Sequence, residues 1–307
     1  MQIKIKEIAT GLRFPEGPVA MPDGSVILVE IARGTLSRVT PDGKVHVVAT
    51  PGGGPNGAAL GPDGKMYVCN NGGFEWRDTP ESGLRPIAQA KDYSGGRIER
   101  IDISTGKVER LYDGAENGPL KGPNDIVFDR TGGFWFTDLG KGRARDMDRG
   151  GLYYAKADGS FITEAIYPML TPNGCGLSPD EKTLYAAETQ TGRVWKWDLE
   201  APGKTKKQPG LAAAGGQLLA GVPGFQLFDS LGVDSAGNVC VATLFNGGVT
   251  VVSPDGKSVE HIPMPDPYTT NICFGGPDMR TAYVTLSSTG KLVSFEWPRP
   301  GLKLNFS

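Results

Sequence analysis

The segment PNGAALGPDGKMYVCN, residues 55–70, holds two short apolar runs separated by a tight turn. Its Pro-Asp-Gly turn suits a hairpin, because Asp stabilises local turns and Gly readily adopts positive φ. The run MYVCN has the length and the composition of a β-strand. The segment therefore predicts two neighbouring antiparallel strands.

The same unit recurs at five other places along the chain. Its first runs are GPVA, DIVF, GCGL, SLGV and NICF, and its second runs are SVILVE, GFWFTD, TLYAAE, NVCVAT and TAYVTL. A third strand-like run follows each pair, and many units continue into a fourth. Repeats of about 40 to 50 residues with four strands are typical of propeller blades, which bury their faces only against neighbours. We therefore predict an all-β fold, a six-bladed β-propeller with four-stranded blades around a central channel.

We expect one domain over residues 1–307, which the turns divide into six blades. The blades are expected at about residues 11–50, 51–113, 114–165, 166–222, 223–263 and 264–298. The N-terminal run IKIKEIAT is expected to complete the sixth blade and to close the ring.

Two long segments interrupt the repeat, residues 71–96 in the second unit and residues 200–226 before the fifth. Long segments on a rigid scaffold often form binding walls. The first segment carries Trp76 and Tyr93. We interpret it either as a pocket wall, with these two side chains contacting substrate, or as a surface loop.

The charge balance argues against several classes of partner. The formal net charge is -2 and the sequence pI is about 5.8, so the chain lacks the basic surface of a nucleic-acid-binding protein. No apolar stretch reaches the roughly 18 residues of a membrane span. The N-terminus MQIKIKEIAT lacks the apolar core of a secretory signal. We therefore expect a cytoplasmic protein without a nucleic-acid or membrane partner.

The few cysteines and histidines argue against several kinds of site. The four cysteines form no CxxC pair, so a zinc knuckle is not expected. We expect the cysteines to be buried free thiols instead. The two histidines, His46 and His261, lie outside the first strands of the units. This placement argues against a histidine-rich zinc site and against a Ser-His-Asp triad.

One position near the start of each first strand carries a side-chain oxygen acceptor. The six residues are Glu16, Asn56, Asn124, Asn173, Asp229 and Asn271. First strands line the channel of a propeller, so these side chains are expected to converge, and buried polar groups need partners. A hard divalent cation is such a partner, Ca²⁺ before Mg²⁺ or Mn²⁺. The pattern predicts a metal site, the alternative being Asn and Asp side chains that only stabilise turns.

Four motifs together resemble the senescence-marker-protein/gluconolactonase/luciferin-regenerating-enzyme-like family. They are PEGP, PND with Asp129 four residues after its Asp, PNG followed by LSPD, and FDSLGVDSAGNVCVA. The resemblance covers about residues 11–297. It implies a six-bladed propeller with one catalytic divalent metal ion in the channel, and hydrolysis of sugar lactones, other lactones or organophosphates.

The resemblance also implies roles for individual residues. The implied metal ligands are Glu16, Asn124, Asn173 and Asp229, and Asp229 is also implied as general base or nucleophile. Asn56 and Asn271 are implied to line the pocket. Sugar lactonases of the family commonly have an Arg two residues before the PND asparagine, where this chain has Gly122 preceded by Lys121. The departure argues against a sugar lactone, with Lys121 as the candidate replacement for the Arg.

The combined interpretation is a divalent-metal-dependent lactonase that acts on a small lactone or ester. Ca²⁺ is the expected ion, with Mg²⁺, Mn²⁺ and Zn²⁺ as alternatives. The candidate substrate-binding residues are Asn56, Asn271, Lys121, Trp76 and Tyr93. Two other functions stay open: a phosphotriester hydrolase using the same site, and a non-catalytic Ca²⁺-binding propeller that presents a surface to a partner.

Overall fold

A computed structural model describes residues 3–206, 208 and 215–307, and each element with described bounds is a β-strand. Six antiparallel sheets, each with four main strands, are arranged as the six blades of a propeller. The predicted all-β, six-bladed fold is therefore confirmed. In this part of the chain, no helix is long and apolar enough to cross a membrane.

The first half of the chain forms three blades and one inserted hairpin. It contains β1 (Lys6–Ala9); the first blade, β2 (Pro15–Ala20), β3 (Val26–Glu30), β4 (Thr35–Val39) and β5 (Val45–Ala49); the second blade with its hairpin, β6 (Pro55–Leu60), β7 (Met66–Asn70), β8 (Phe74–Thr79), β9 (Gly83–Gln89), β10 (Arg97–Ile101) and β11 (Val108–Tyr112); the short ribbon β12 (Gly114–Ala115) and β13 (Gly118–Pro119); and the third blade, β14 (Pro123–Phe128), β15 (Gly133–Asp138), β16 (Gly150–Lys156) and β17 (Ile162–Met169).

The second half of the chain forms the other three blades. It contains β18 (Pro172–Leu177), β19 (Thr183–Glu188), β20 (Arg193–Ala201), the short β21 (Lys204–Thr205) and β22 (Gln217–Gly221); then β23 (Leu227–Val233), β24 (Val239–Leu244), β25 (Gly248–Val252) and β26 (Val259–Pro263); and finally β27 (Thr269–Gly275), β28 (Thr281–Leu286) and β29 (Lys291–Glu296).

The N-terminal strand β1 belongs to the sixth blade. It pairs antiparallel with β29, with Lys6 opposite Ser294 and Glu7 opposite Val293. The outer strand of this blade therefore comes from the beginning of the chain, and its three inner strands come from the end.

The structure gives bounds for one blade boundary and for the two long segments that interrupt the repeat. The boundary expected at residue 165 falls inside β17, because pairing with β16 continues until Gly150 meets Met169. The segment 71–96 contains the β8–β9 hairpin. Within the segment 200–226, residues 207 and 209–214 lie outside the described residues.

The first strands of the blades surround the axis. In the order β2, β6, β14, β18, β23, β27, each contacts the next, and β27 contacts β2. Apolar side chains of neighbouring blades pack between the sheets, as Val127 of the third blade and Leu177 of the fourth do in one cluster. The six strands therefore form a closed inner layer, and all of them begin on one face of the molecule, here called the ring face.

Candidate functional site

The six predicted acceptors occupy equivalent places near the starts of the first strands. Four are second residues and two are third residues: Glu16, Asn56, Asn124, Asn173, Asp229 and Asn271. In all six strands the pairing register with the second strand of the blade shifts at this place. Such bulges redirect side chains and are common beside functional sites. The acceptors are buried except Asp229, which is partly exposed.

Glycines allow neighbouring first strands to approach closely at this level. An added Cβ atom would lie 2.6 Å from Asn56 O at Gly17, 2.3 Å from Asn124 O at Gly57, and 2.8 Å from Asp229 O at Gly174. No Cβ tolerates such distances to backbone atoms. The acceptor positions of adjacent blades are therefore side by side, and the six acceptor residues are here called the ring.

Glu16 is held across the seam between the first and last blades. Its Oε2 accepts hydrogen bonds from Gly17 N and from Asn271 Nδ2, both at 2.7 Å. Asn271 Oδ1 accepts from Ile272 N at 2.7 Å, so the amide oxygen is occupied by backbone. Burial raises the pKa of Glu16, and the charge of Asp229 raises it further. The two acids are therefore close enough to interact, and Asn271 orients one of them.

Asp229 of the fifth blade lies beside Asn173 of the fourth blade. Burial raises the pKa of the Asp229 carboxyl to about 8, whereas a hydrogen bond with the Asn173 side chain lowers it. Asn173 Oδ1 lies 3.4 Å from Ser230 Oγ, a long hydrogen bond. The acid and the amide thus form one polar group at the ring.

Asn124 provides the test of whether a cation fits. Its Oδ1 atom is buried and has no hydrogen-bond partner among the described residues. A buried carbonyl oxygen without a partner is costly, because its water contacts are lost without replacement. The described residues contain no group of three or more His, Cys, Asp or Glu placed to hold a metal. A cation at the ring would thus depend on amide oxygens beside the two acids, and Asn124 Oδ1 suits that use.

Asp125 is a third acid near the ring, and the motif analysis missed it. It is buried, with Oδ1 accepting from Ile126 N and Oδ2 accepting from Cys175 N, both at 3.0 Å. Burial raises the pKa of this carboxyl to about 7. The hydrogen bond to Cys175 crosses from the third blade to the fourth. The only signal in the sequence is that PND has Asp where PEG and both PNG motifs have Gly.

A side chain at position 122 would clash with the backbone of this chain. A Cβ atom on Gly122 would lie 2.4 Å from Gly140 O. The neighbouring Lys121 has an exposed side chain, and its backbone N donates to Asp138 Oδ2 at 2.7 Å. The absence of Arg at residue 122 is therefore built into the local backbone.

The β8–β9 hairpin leans across the ring face from the second blade to the sixth. The Trp76 ring packs on Phe14, with 5.1 Å between centroids, and Phe14 directly precedes β2. Ser288, in the turn between β28 and β29, donates to Ser82 O at 3.2 Å. Trp76 therefore fixes the hairpin to the first blade.

Tyr93 lies at the base of the hairpin. Its hydroxyl donates to Lys121 O at 2.6 Å and accepts from Gly96 N at 3.1 Å. The hydroxyl therefore has two partners within the protein and joins the inserted segment to the start of the third blade. Contact of Trp76 or Tyr93 with a substrate remains a prediction.

The hairpin also brings a cation to the ring face. Cζ of Arg85 lies 3.4 Å from the ring centroid of Tyr268, which directly precedes β27. Burial raises the pKa of Tyr268; the charge of Arg85 lowers it, and the charge of Asp229 raises it. Arg85, Tyr268 and Asp229 are therefore neighbours, although no sequence motif links them.

A comparison with known protein families gives a match over most of the chain. The family model described as SMP-30/Gluconolactonase/LRE-like region matches residues 14–288. The chain belongs to this family.

Relatives within the SMP-30/gluconolactonase/LRE-like family are moderately similar. Gluconolactonase of Zymomonas mobilis is 27% identical over 300 residues, covering 88% of this chain and 76% of that protein. Lactonase drp35 of Staphylococcus haemolyticus is 32% identical over 252 residues, covering 81% and 69%. The solved structure of a gluconolactonase from Xanthomonas campestris has a TM-score of 0.75 at 22% identity, covering 96% of this chain and 90% of that one. This last likeness concerns the fold.

Lys141 is another residue of this family member that the sequence analysis missed. It is almost fully buried, and its Nζ donates to Asn71 Oδ1 at 3.1 Å and to Gly73 O at 2.9 Å. The ammonium also lies 3.9 Å from the centroid of the Phe74 ring. Burial lowers the pKa of Lys141 to about 7. Lys141 thus joins the third blade to the base of the hairpin.

The channel continues below the ring as a cavity of about 190 Å³. The later residues of the first strands line it, and the C-terminal segment 302–307 contributes to the opposite end. Asn305 Nδ2 donates to Phe128 O at 3.1 Å, and the Phe306 ring packs edge-on against Phe128 at 5.7 Å. This segment carries no repeat signal, so the sequence did not indicate its place.

Proposed function

We propose that this protein is a divalent-metal-dependent hydrolase of small lactones. The observation that carries the proposal is the ring of oxygen-bearing side chains, in which Asn124 Oδ1 is buried without a partner among the residues that the structure describes. Two relatives in the family are named gluconolactonase and lactonase. Their names support the same reaction class for this chain.

The ligands proposed for the ion are Glu16, Asn124, Asn173 and Asp229. The two acids supply two negative charges, which balance a divalent cation, and the amides supply neutral oxygens. Ca²⁺ accepts six to eight oxygen ligands in flexible geometry and is the first choice, with Mg²⁺, Mn²⁺ and Zn²⁺ as alternatives. Asn271 orients Glu16 by its hydrogen bond to Oε2.

A divalent ion, when bound, would polarise an ester carbonyl and lower the pKa of bound water. The residue proposed to move the proton is Asp229. It is the only one of the six ring residues that is partly exposed, and burial of its carboxyl raises the pKa to about 8, which suits a group that accepts a proton near neutral pH. Both histidines lie in outer strands, His46 in β5 and His261 in β26. A carboxylate is therefore the available general base or nucleophile.

A substrate and metal panel tests the proposal. Metal-free protein is prepared with EDTA and assayed with γ- and δ-lactones, aryl esters and phosphotriesters after adding Ca²⁺, Mg²⁺, Mn²⁺ or Zn²⁺. We expect lactone turnover that depends on the added ion, and thermal stabilisation of the protein by the same ion. Asn124→Ala is expected to reduce that stabilisation. Full lactone turnover in EDTA, or no turnover of any lactone, contradicts the proposal.

A further inference from the structure

Arg85 is a half-buried cation with unused hydrogen-bonding capacity. A guanidinium has five N–H donors, and the only hydrogen bond of Arg85 to a described carbonyl is from Nη1 to Leu84 O, at 3.2 Å. One face of the guanidinium is covered by the Tyr268 ring. Arg85 forms no salt bridge with any acid in the described parts of the chain. Burial lowers the pKa of the Arg85 guanidinium, whereas the Tyr268 side chain and the charge of Asp266 act on it and raise the pKa. The donors that these groups leave unused are available to a ligand.

The hairpin places a second arginine directly opposite the first. Arg77 of β8 pairs with Arg85 of β9, so both side chains project from the same face of the hairpin. Like charges directly opposite each other destabilise an antiparallel pair. Arg77 is exposed and also lacks an acidic partner among the described residues. A negatively charged group between the two would relieve the repulsion.

The position of Arg85 relates it to the ring. Tyr268, on which the guanidinium is stacked, is three residues before Asn271, and Asn271 donates to Glu16. The hairpin is fixed beside the first blade by Trp76. Arg85 therefore stacks on a residue next to β27, on a hairpin that Trp76 anchors to the first blade.

The start of the third blade offers no arginine, and its cation Lys121 is exposed. Gly122 has no room for a side chain beside Gly140 O, and Lys141 is buried beneath the hairpin. The hairpin residue Arg85 therefore offers a guanidinium that residue 122 cannot supply in this chain.

We propose that Arg85 binds a carboxylate carried by the substrate, so that the preferred substrates are lactones with a carboxylate substituent. A guanidinium and a carboxylate form two parallel hydrogen bonds, which an ammonium cannot reproduce. The inference rests on the proposed lactonase function for the reaction itself. The role assigned to Arg85 is that of a specificity-determining residue.

A matched pair of substrates tests the assignment. The pair is 5-oxotetrahydrofuran-2-carboxylate and its carboxamide, which has the same shape without the charge. We expect the wild-type protein to favour the carboxylate in kcat/KM by about tenfold or more, because hydrogen bonds to charged groups are the stronger kind. Arg85→Met should lower this preference about tenfold, through KM of the carboxylate. Arg85→Lys should give an intermediate preference, because it keeps the charge and loses the planar fork.

The control variant is Arg77→Met, which removes the same charge from the same hairpin without touching the Tyr268 stack. It should lower the preference by less than about threefold, the effect of an exposed charge. Equal rates on the two substrates in the wild type overturn the proposal. So does an equal effect of the Arg77 and Arg85 variants, since the hairpin charge alone would then be responsible. A parallel loss on both substrates in Arg85→Met also overturns it, because Arg85 would then only position Tyr268.

A binding measurement separates this inference from the proposed function. If the wild type hydrolyses neither these substrates nor any other lactone, the lactonase function fails and Arg85 is tested by calorimetry with tetrahydrofuran-2-carboxylate, which cannot be hydrolysed. Binding that weakens about tenfold in Arg85→Met supports the assignment. Binding that is absent from the wild type, or equal in the two proteins, overturns it.

Discussion

Asn271 Nδ2 donates to Glu16 Oε2 at 2.7 Å, across the seam where the last blade meets the first. Asn271 is itself fixed, because its Oδ1 accepts from Ile272 N. The Glu16 carboxylate is therefore oriented by a residue that offers its own amide oxygen to the backbone and not to the axis. This relationship makes Asn271 a positioning residue in the proposed metal site.

Asn271→Leu is expected to weaken calcium binding by about tenfold or more, since partners that orient metal ligands typically contribute 10–100-fold to affinity. Calorimetric titration of the metal-free protein measures the change. Asn117→Leu, at an exposed site where Nδ2 donates to Glu164, is the control and should bind calcium as the wild type does. Unaltered calcium affinity in Asn271→Leu would show that Glu16 needs no support from the sixth blade.

Asp229→Asn is expected to lower kcat for lactone hydrolysis by about 10²–10⁴-fold, the usual contribution of a positioned general base. The substitution keeps the shape of the side chain, so circular dichroism should show the wild-type fold. Asp113→Asn, an exposed acid between the second and third blades, should leave kcat unchanged. Normal turnover in Asp229→Asn would remove this residue from the chemistry.

Gly57→Ala is expected to destabilise the protein by about 1–3 kcal/mol or more, as overpacking does in a closely packed core. The new Cβ atom would lie 2.3 Å from Asn124 O and 2.7 Å from the Asp125 Cα atom, both of which are backbone atoms. Gly142→Ala is the control, because no atom lies within 4 Å of an added Cβ there. Urea unfolding measures both variants. A loss no larger in Gly57→Ala than in Gly142→Ala would mean that the ring widens freely.

Lys141→Met is expected to change how stability depends on pH. Burial lowers the pKa of Lys141 from 10.5 to about 7, so between these values the unfolded chain binds more protons than the folded one. Stability from this group therefore rises as the pH increases from about 7 to 10, by an amount on the order of a few kcal/mol. The Met variant should lack this rise.

Lys141→Met leaves neither hydrogen-bond acceptor of the ammonium without a donor. Gly73 O also accepts from Ala90 N, and Asn71 Oδ1 also accepts from Gly73 N. Urea unfolding at three pH values between 7 and 10 compares the variant with the wild type and with Lys91→Met, whose side chain is exposed. Parallel pH dependence in all three proteins would contradict the prediction.

The positions of the ring could be predicted because they follow from the repeat. Each blade places its first strand on the axis, so one place in each unit, from Glu16 to Asn271, necessarily meets its equivalents. The same argument cannot assign roles within the ring. Whether Asn124 or Asn271 offers its oxygen to the axis depends on local hydrogen bonds, such as the one from Ile272 N, and no spacing encodes these.

The residues that the sequence did not reveal are those that depend on contacts between distant segments. Arg85 meets Tyr268 only because the inserted hairpin leans across the first blade. The sequence KGRARD around Lys141 is typical of an exposed loop, but in the structure the base of the hairpin covers this side chain. The repeat predicts the strands of the blades but not the conformation of an insertion. The position of the β8–β9 hairpin is therefore known only from the structure.

The pairing of β1 with β29 has a consequence for the order in which the protein folds. The strand around Lys6 is separated from its partner around Ser294 by about 290 residues of sequence. Contacts of such long sequence separation form slowly. The sixth blade is therefore expected to gain its outer strand late, and until then the free edge of β29 is open to pairing with another chain.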